Sequence, residues 1–384
     1  MQDLSNSHNA ALVYTDELSQ HLLSPNHPMR PVRLSYMHEL MQASGLLDFP
    51  RLLQTEPRMA TRDEIELYHL PDYVDVVKAI GSGAIVTNMH EYGIGPGDNP
   101  PRMSMYDSTA LTIGGTLVAT ELVADGKVPA AFAPAGGVHH HAMASRASGF
   151  GVFNDAVIAI KKLVDRGLRV AYVDIDCHHG DGVQAGFYDT DRVVTISLHE
   201  SGEWLFPGSG SVSESGSGAG AGYSINIPLA PYTQDELWLN AFDQLVPPLV
   251  GAFKPDLVFT QLGIDTHFRD PLTHLQLTTQ GFAEAVRRLG VLAGECGAWV
   301  AVGGGGYDMG AVARAWTMAM AEMAGFALPE LVPESYEAVP GLTTFADIPG
   351  PAPLPPDAAK QVEEYAAQTI EQVKKTFFAR FGIE

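Results

Sequence analysis

Short apolar runs alternate with amphipathic stretches through the middle of the chain. Ala130 to Ala133, Leu168 to Asp174, Val193 to Leu198, Leu257 to Leu262 and Trp299 to Val302 read as strands. Asn154 to Asp165 and Phe282 to Leu292 carry apolar residues at helical spacing and read as helices. Repeated strand–helix alternation predicts a parallel sheet with helices on both faces, an α/β fold. Ser209 to Gly222 is rich in Ser and Gly and reads as a surface loop. Ile348 to Pro356 is Pro-rich and reads as a linker, followed by a helix from Asp357 to Phe378. We expect one catalytic domain over residues 1–347, extended by the linker and C-terminal helix of 348–384.

Composition narrows the class. A chain of 384 residues, 46% of them hydrophobic, has ample material for a core. The net charge of −22 argues against a nucleic-acid-binding surface and permits attraction of cationic substrates. There are two cysteines, Cys177 and Cys296, which excludes a disulfide framework and points to a reducing compartment, the cytoplasm. Met1 to Asn9 is polar and reads as no signal peptide, and no apolar run reaches the ~18 residues of a membrane span.

Candidate chemistry concentrates in Tyr172-Val173-Asp174-Ile175-Asp176-Cys177-His178-His179-Gly180-Asp181-Gly182. Asp174, Asp176 and His178 recur at every second position after an apolar run, so along a strand they point the same way. In an open parallel sheet the C-terminal strand ends are where ligands bind. Two carboxylates and an imidazole converging there would repel one another and stay poorly solvated without a cation, and their donors suit a divalent metal such as zinc. The bland alternative is a solvated strand end. Cys177 falls on the opposite face and reads as a buried core thiol.

Three further segments bear on that site. Asp265 follows the strand Leu257 to Leu262; it is either a helix cap or a third metal ligand that leaves a position open for water. His139-His140-His141 follows another strand, with Asp174 and Asp181 available to orient two imidazoles, and is otherwise a surface accident. Gly303 to Gly306 precedes Tyr307. A dinucleotide loop would need a different glycine spacing. A tight turn that carries the Tyr307 hydroxyl towards a developing oxyanion fits better than a plain core tyrosine.

Together these residues resemble the zinc-dependent histone deacetylase family of the arginase/deacetylase fold, and within it the bacterial AcuC-type acetoin-utilisation proteins. The motifs are His140-His141-Ala142, Ser148-Gly149-Phe150, the Asp174 to Gly182 run, Phe206-Pro207-Gly208 and Gly303 to Tyr307, and the resemblance runs from Asn26 to Trp316. It implies a three-layer α/β/α architecture with a mainly parallel eight-stranded sheet. It implies zinc, or iron(II) in the cell, on Asp176, His178 and Asp265. His140 would pair with Asp174, and His141, the principal general base and then acid, with Asp181. Tyr307 would polarise the carbonyl. Phe150 and Phe206, with Gly149 beside them, would wall an acyl-lysine tunnel. Asp98 would hold the substrate backbone at the rim, and Arg33 would stand beside the acetate exit. Structural potassium is implied at two sites, one on Asp174, Asp176, His178, Ser197 and Leu198, the other near Phe187, Thr190, Val193 and Tyr223.

Two departures stand out. His139 occupies a position that is apolar in the family, so the histidine register rests on counting back from Ser148-Gly149-Phe150. His267 and Asp270 faintly resemble the second metal motif of arginases. The implied activity is removal of acetyl groups from the ε-amine of lysine in proteins. Rivals are an acetylpolyamine deacetylase, an arginase-like binuclear hydrolase and a non-catalytic acyl-lysine-binding protein. Leu272 stands where the polyamine enzymes carry a gatekeeper glutamate, which favours acyl-lysine. The expected partner is an acetylated protein or small acetylated amine, with no nucleic acid or membrane, and an oligomer is compatible with the chain.

Overall fold

A computed structural model describes residues 8–384; the first seven residues of the polar N-terminal segment lie outside the described residues. Eight strands form one sheet: β1 (Ala10–Val13), β2 (Leu52–Thr55), β3 (Ala130–Ala133), β4 (Val170–Asp174), β5 (Val193–Glu200), β6 (Ser224–Leu229), β7 (Leu257–Gln261) and β8 (Trp299–Val302). Their order is β2-β1-β3-β8-β7-β4-β5-β6, and every pairing between them is parallel. The expected mainly parallel sheet is thus wholly parallel among the described residues.

Burial on both faces follows from alternation along each strand. Ala171 and Val173 of β4 point into one apolar cluster, and Val170 and Tyr172 into the other. The first layer is built by α1 (Val32–Ala43), α7 (Asp235–Phe253), α8 (Thr279–Cys296), α9 (Met309–Ala324) and α10 (Pro356–Val373). The second is built by α3 (Pro71–Gly81), α4 (Met105–Ala124) and α5 (Asp155–Asp165). The short helices α2 (Arg62–Ile65) and α6 (Asp181–Gly186) cap loops. A sheet covered on both sides needs no polar alternation, which is why its strands read as continuous apolar runs.

The chain beyond Asp347 crosses Pro-rich segment 348–355 and enters α10. That helix buries Ala366, Ile370 and Val373 in the apolar cluster of the first layer and contacts β6 and α7. It continues through a π turn, Lys374–Phe378, into α11 (Ala379–Phe381). No helix among the described residues is long and apolar enough to cross a membrane.

Candidate active site

The C-terminal ends of β3, β4, β7 and β8, the four central strands, converge on one cavity of about 230 Å³. β4 ends at Asp174, two residues before the first ligand candidate, so the strand ladder does not by itself aim Asp176 and His178. Side-chain bonds to the backbone continue the alternation instead. Asp174 Oδ1 accepts the Asp176 amide at 3.1 Å, and Asp176 Oδ1 accepts the His178 amide at 3.0 Å. Each aspartate thereby fixes the residue two positions on, as Asx turns do.

Asp176, His178 and Asp265 each offer one ligand atom within 4.8 Å of the others, and no other group of three or more such side chains occurs among the described residues. His178 Nδ1 stands 2.8 Å from Asp265 Oδ2 and 3.2 Å from Asp176 Oδ1. Burial alone would raise Asp176, but His140 and His178 outweigh it and hold its carboxyl well below the usual range. Burial, then the charge of Asp176, pushes Asp265 up to about 6. Burial opposes charge on His178, yet its two carboxylate neighbours hold it well above an ordinary histidine. Two fully buried carboxylates and one imidazole suit a divalent cation that takes nitrogen and oxygen donors.

The remaining carboxylate oxygens are tied down by the protein. Cys177 donates its amide to Asp265 Oδ1 at 2.7 Å. Gln261 Nε2 and the Gly305 amide both donate to Asp176 Oδ2, at 2.6 and 2.7 Å. Gly305 has to be glycine here, because a Cβ would stand 2.1 Å from Asp265 Oδ2. Such outer bonds orient metal ligands and tune them. Gln261 was not anticipated from sequence; the signal was a lone amide at the end of an apolar strand.

The three histidines of the triplet have different partners. His140 Nδ1 lies 2.9 Å from Asp174 Oδ2, and His141 Nδ1 lies 2.7 Å from Asp181 Oδ1. Tyr172 donates its hydroxyl to the same Asp174 oxygen at 2.6 Å. Burial opposes charge on His140, but Asp176 and Asp174 outweigh it and raise it to about 9. His141 is held well below the ordinary value, first by burial and then by the charges of His140 and His178. Charge is thus favoured on one imidazole and disfavoured on its neighbour. His139 points away: its Nδ1 accepts the Val152 amide at 3.1 Å, and burial lowers it to about 3.

The walls come from other loops. Phe150 meets Tyr307 edge-on with ring centres 5.8 Å apart, and Phe206 meets His141 in the same way at 5.0 Å. Gly149 lies against His141, where a Cβ would come within 2.3 Å of the ring. Asp98 and Leu272 also line the cavity, as do Val138 and Leu205, which the motifs did not single out. Burial, then Asp265 and Asp176, pushes the Tyr307 phenol well above its usual range, so it is a neutral donor.

Arg33 lies outside this cavity. It donates to the Gly304 and Gly306 carbonyls at 2.7 and 2.8 Å, bracing the turn before Tyr307, and lines a separate small cavity with His139 and Arg102. Ser197 pairs with Asp174 across β4 and β5, and its hydroxyl contacts His199 Nδ1 at 2.8 Å beside buried Leu198. Phe187 and Thr190 lie in the connection from α6 to β5, which begins at Val193. Tyr223 precedes β6, and its carbonyl accepts the Thr195 amide at 2.9 Å. The arginase-like motif is not assembled. His267 Nε2 turns to Asp347 at 2.8 Å, and Asp270 accepts the Tyr307 amide at 2.8 Å, so neither joins a second metal centre.

Comparison with known proteins identifies the family. The pattern of the histone deacetylase domain matches residues 27–323. The acetoin utilization protein AcuC of Bacillus subtilis (strain 168) is 37% identical over 321 residues, covering 82% of each chain. AcuC of Staphylococcus aureus (strain MSSA476) is 39% identical over 316 residues, 81% of this chain and 80% of that one. Among solved structures, an HDAC homolog from Aquifex aeolicus superposes with a TM-score of 0.83 at 32% identity, covering 95% of this chain and 99% of that one. An HDAC homolog complexed with SAHA gives 0.84 at 33% identity, covering 96% and 100%. The chain has the arginase/deacetylase fold and belongs to the histone deacetylase family as an AcuC-type deacetylase.

Proposed function

We propose that the protein is a zinc-dependent amidohydrolase that removes acetyl groups from the ε-amine of lysine in proteins. One observation carries this reading: Asp176, His178 and Tyr307 line the same narrow cavity as Phe150, Phe206 and the His140–His141 pair. A cation held by Asp176, His178 and Asp265 would supply Lewis acidity to water and to the acyl carbonyl. The protein's own groups account for the rest. Phe150 and Phe206 enclose the four-methylene lysine stem, which gains by leaving water. Neutral His141 takes a proton from the attacking water and delivers it to the departing amine, with Asp181 fixing its tautomer. Charged His140, beside Asp174, and the Tyr307 hydroxyl stabilise negative charge as it develops on the carbonyl oxygen.

Exposed Asp98 at the rim is suited to accept amide N–H groups of a bound peptide. Leu272 offers no carboxylate to the distal ammonium of a polyamine, which favours acyl-lysine. Residues 1–347 form the catalytic unit in this reading, and 348–384 brace it. Potassium would sit in the two oxygen-rich regions around Ser197 and Tyr223 and stiffen the loops beneath the site. The test is turnover of acetyl-lysine peptides beside acetylpolyamines after zinc or iron(II) reconstitution. Preference for peptides is expected. Faster polyamine turnover would overturn the substrate class, and metal binding without any turnover would leave an acyl-lysine-binding protein.

A further inference from the structure

Asp347 lies beyond the residues that match the family pattern, 27–323, and far along the chain from every site residue. Its carboxylate is nevertheless a buried junction. Oδ2 accepts His267 Nε2 and the Thr279 amide, both at 2.8 Å. Oδ1 accepts Arg314 Nη2 at 2.8 Å and Arg269 Nη2 at 3.2 Å. Burial alone would raise this carboxyl, yet the hydrogen bond from His267 and its neighbours hold it well below the usual range.

The loop fastened by this junction runs from Asp265 to Leu272. Asp265 is one of the three candidate ligands, and fully buried His267 follows two residues later. His267 Nδ1 accepts the Arg269 amide at 3.2 Å, so Nε2 carries the proton given to Asp347. Asp270 in the same loop accepts the Tyr307 amide at 2.8 Å and the Leu272 amide at 3.0 Å. One clamp therefore stands behind a metal ligand, the oxyanion donor and a cavity wall. Segment 345–347 is itself docked firmly. Gln280 Oε1 accepts the Asp347 amide at 2.8 Å, and the Phe345 carbonyl accepts Thr279 Oγ1 at 2.8 Å and Arg314 Nη1 at 3.2 Å.

We propose that Asp347 is a positioning residue for the active site, acting through His267 to hold Asp265 in its metal-binding pose and Tyr307 in register with it. The proposal rests on the metal reading above. It differs from a purely architectural role, in which Asp347 would hold the C-terminal segment to the body and leave the metal site as it is.

The experiment measures zinc affinity by chelator competition, with the melting temperature of the metal-free protein recorded alongside. The variants are Asp347→Asn, Asp347→Ala, His267→Gln and the pair Asp347→Asn with His267→Gln, all in the full chain. Loss of an outer partner of a metal ligand costs roughly 10- to 100-fold in affinity. Asp347 bonds His267 rather than a ligand itself, so Asp347→Ala should weaken zinc binding by roughly the lower end of that range, and Asp347→Asn, which keeps one acceptor oxygen, by less. The double variant should be no worse than the poorer single one, because both substitutions break the same arm. A folded Asp347→Asn or His267→Gln protein that binds zinc as tightly as the parent would overturn the proposal, even if its metal-free form melted earlier. Additive losses in the double variant would also overturn it. If Asp347→Ala does not fold, the near-isosteric Asp347→Asn and His267→Gln carry the decision. Failure of the metal reading itself looks different, since the parent protein would then bind no zinc at the site.

Discussion

At the scale of single residues, the three adjacent histidines illustrate how position sets chemistry. Burial holds His139 and His141 below the ordinary histidine range while Asp176 and Asp174 raise His140, although all three are buried. General acid–base catalysis contributes roughly 10²- to 10⁴-fold. His141→Ala should lower kcat by about that factor while zinc stays bound, and His139→Ala should leave kcat close to the parent. Measuring kcat and metal content for both decides the register; the opposite pattern would shift it by one residue. Phe150→Ala should raise KM for acetyl-lysine peptides more than it lowers kcat, because the lost contact is with the stem. Unchanged kinetics across acyl lengths would remove Phe150 from the tunnel.

Buried neutral histidines also set a pH dependence. Burial is the main cause that holds His69 and His139 down to about 3, below the roughly 6.5 of an unfolded chain. Both are therefore unprotonated when folded, and each takes up a proton on unfolding below pH ~6.5. Their contribution is fully present above that pH and is lost as pH falls towards 3, on the order of 2 kcal/mol each by pH 5. His69 Nε2 accepts the Asn154 amide at 2.8 Å, a role that a glutamine oxygen can take over. His69→Gln should flatten the dependence of unfolding free energy on pH, by close to one proton near pH 5 and by little at pH 7.5. An unaltered slope would mean that His69 is not the group being titrated.

Among the elements, legibility follows pattern more than length. The strand ends that carry chemistry stood out because Asp, His and Gly interrupt apolar runs, and β3 and β8 fall at the expected residues. β1 and β2 are four residues each, as short as β3 and β8, but no Gly- or His-rich motif follows them to mark a strand end. β6 follows the Ser/Gly-rich loop and contains Pro228, a residue that argues against a strand and is tolerated here at the sheet edge. α7 carries Pro247 and Pro248 inside it, against local propensity. Buried Trp238, Phe242, Leu245 and Leu249 supply the packing that overrides the prolines. The site was legible wherever a family motif spans it. The Asp347 junction was not, because its partners lie at positions 267, 269, 279 and 314 and meet only in three dimensions. C-terminal element α10 makes its own prediction. Phe377, just beyond it, is fully buried, so Phe377→Ala should destabilise the protein by about 3 kcal/mol. Urea unfolding would show this, and a change below ~1 kcal/mol would mean that the C-terminal turn packs only loosely.

For the molecule as a whole, strand order has a consequence for assembly during synthesis. The first six strands to emerge pair as two separate blocks, β2-β1-β3 and β4-β5-β6. Each block then has an unpaired inner edge, β3 on one and β4 on the other. β7 and β8 come last and fill the gap between them, bringing Asp265 and the Gly303 to Tyr307 turn. Until residues 257–302 have left the ribosome, the nascent chain therefore presents two bare parallel edges, which invite mispairing with other chains. It also lacks one of the three candidate metal ligands, so closing the sheet and completing the candidate metal site are the same late event.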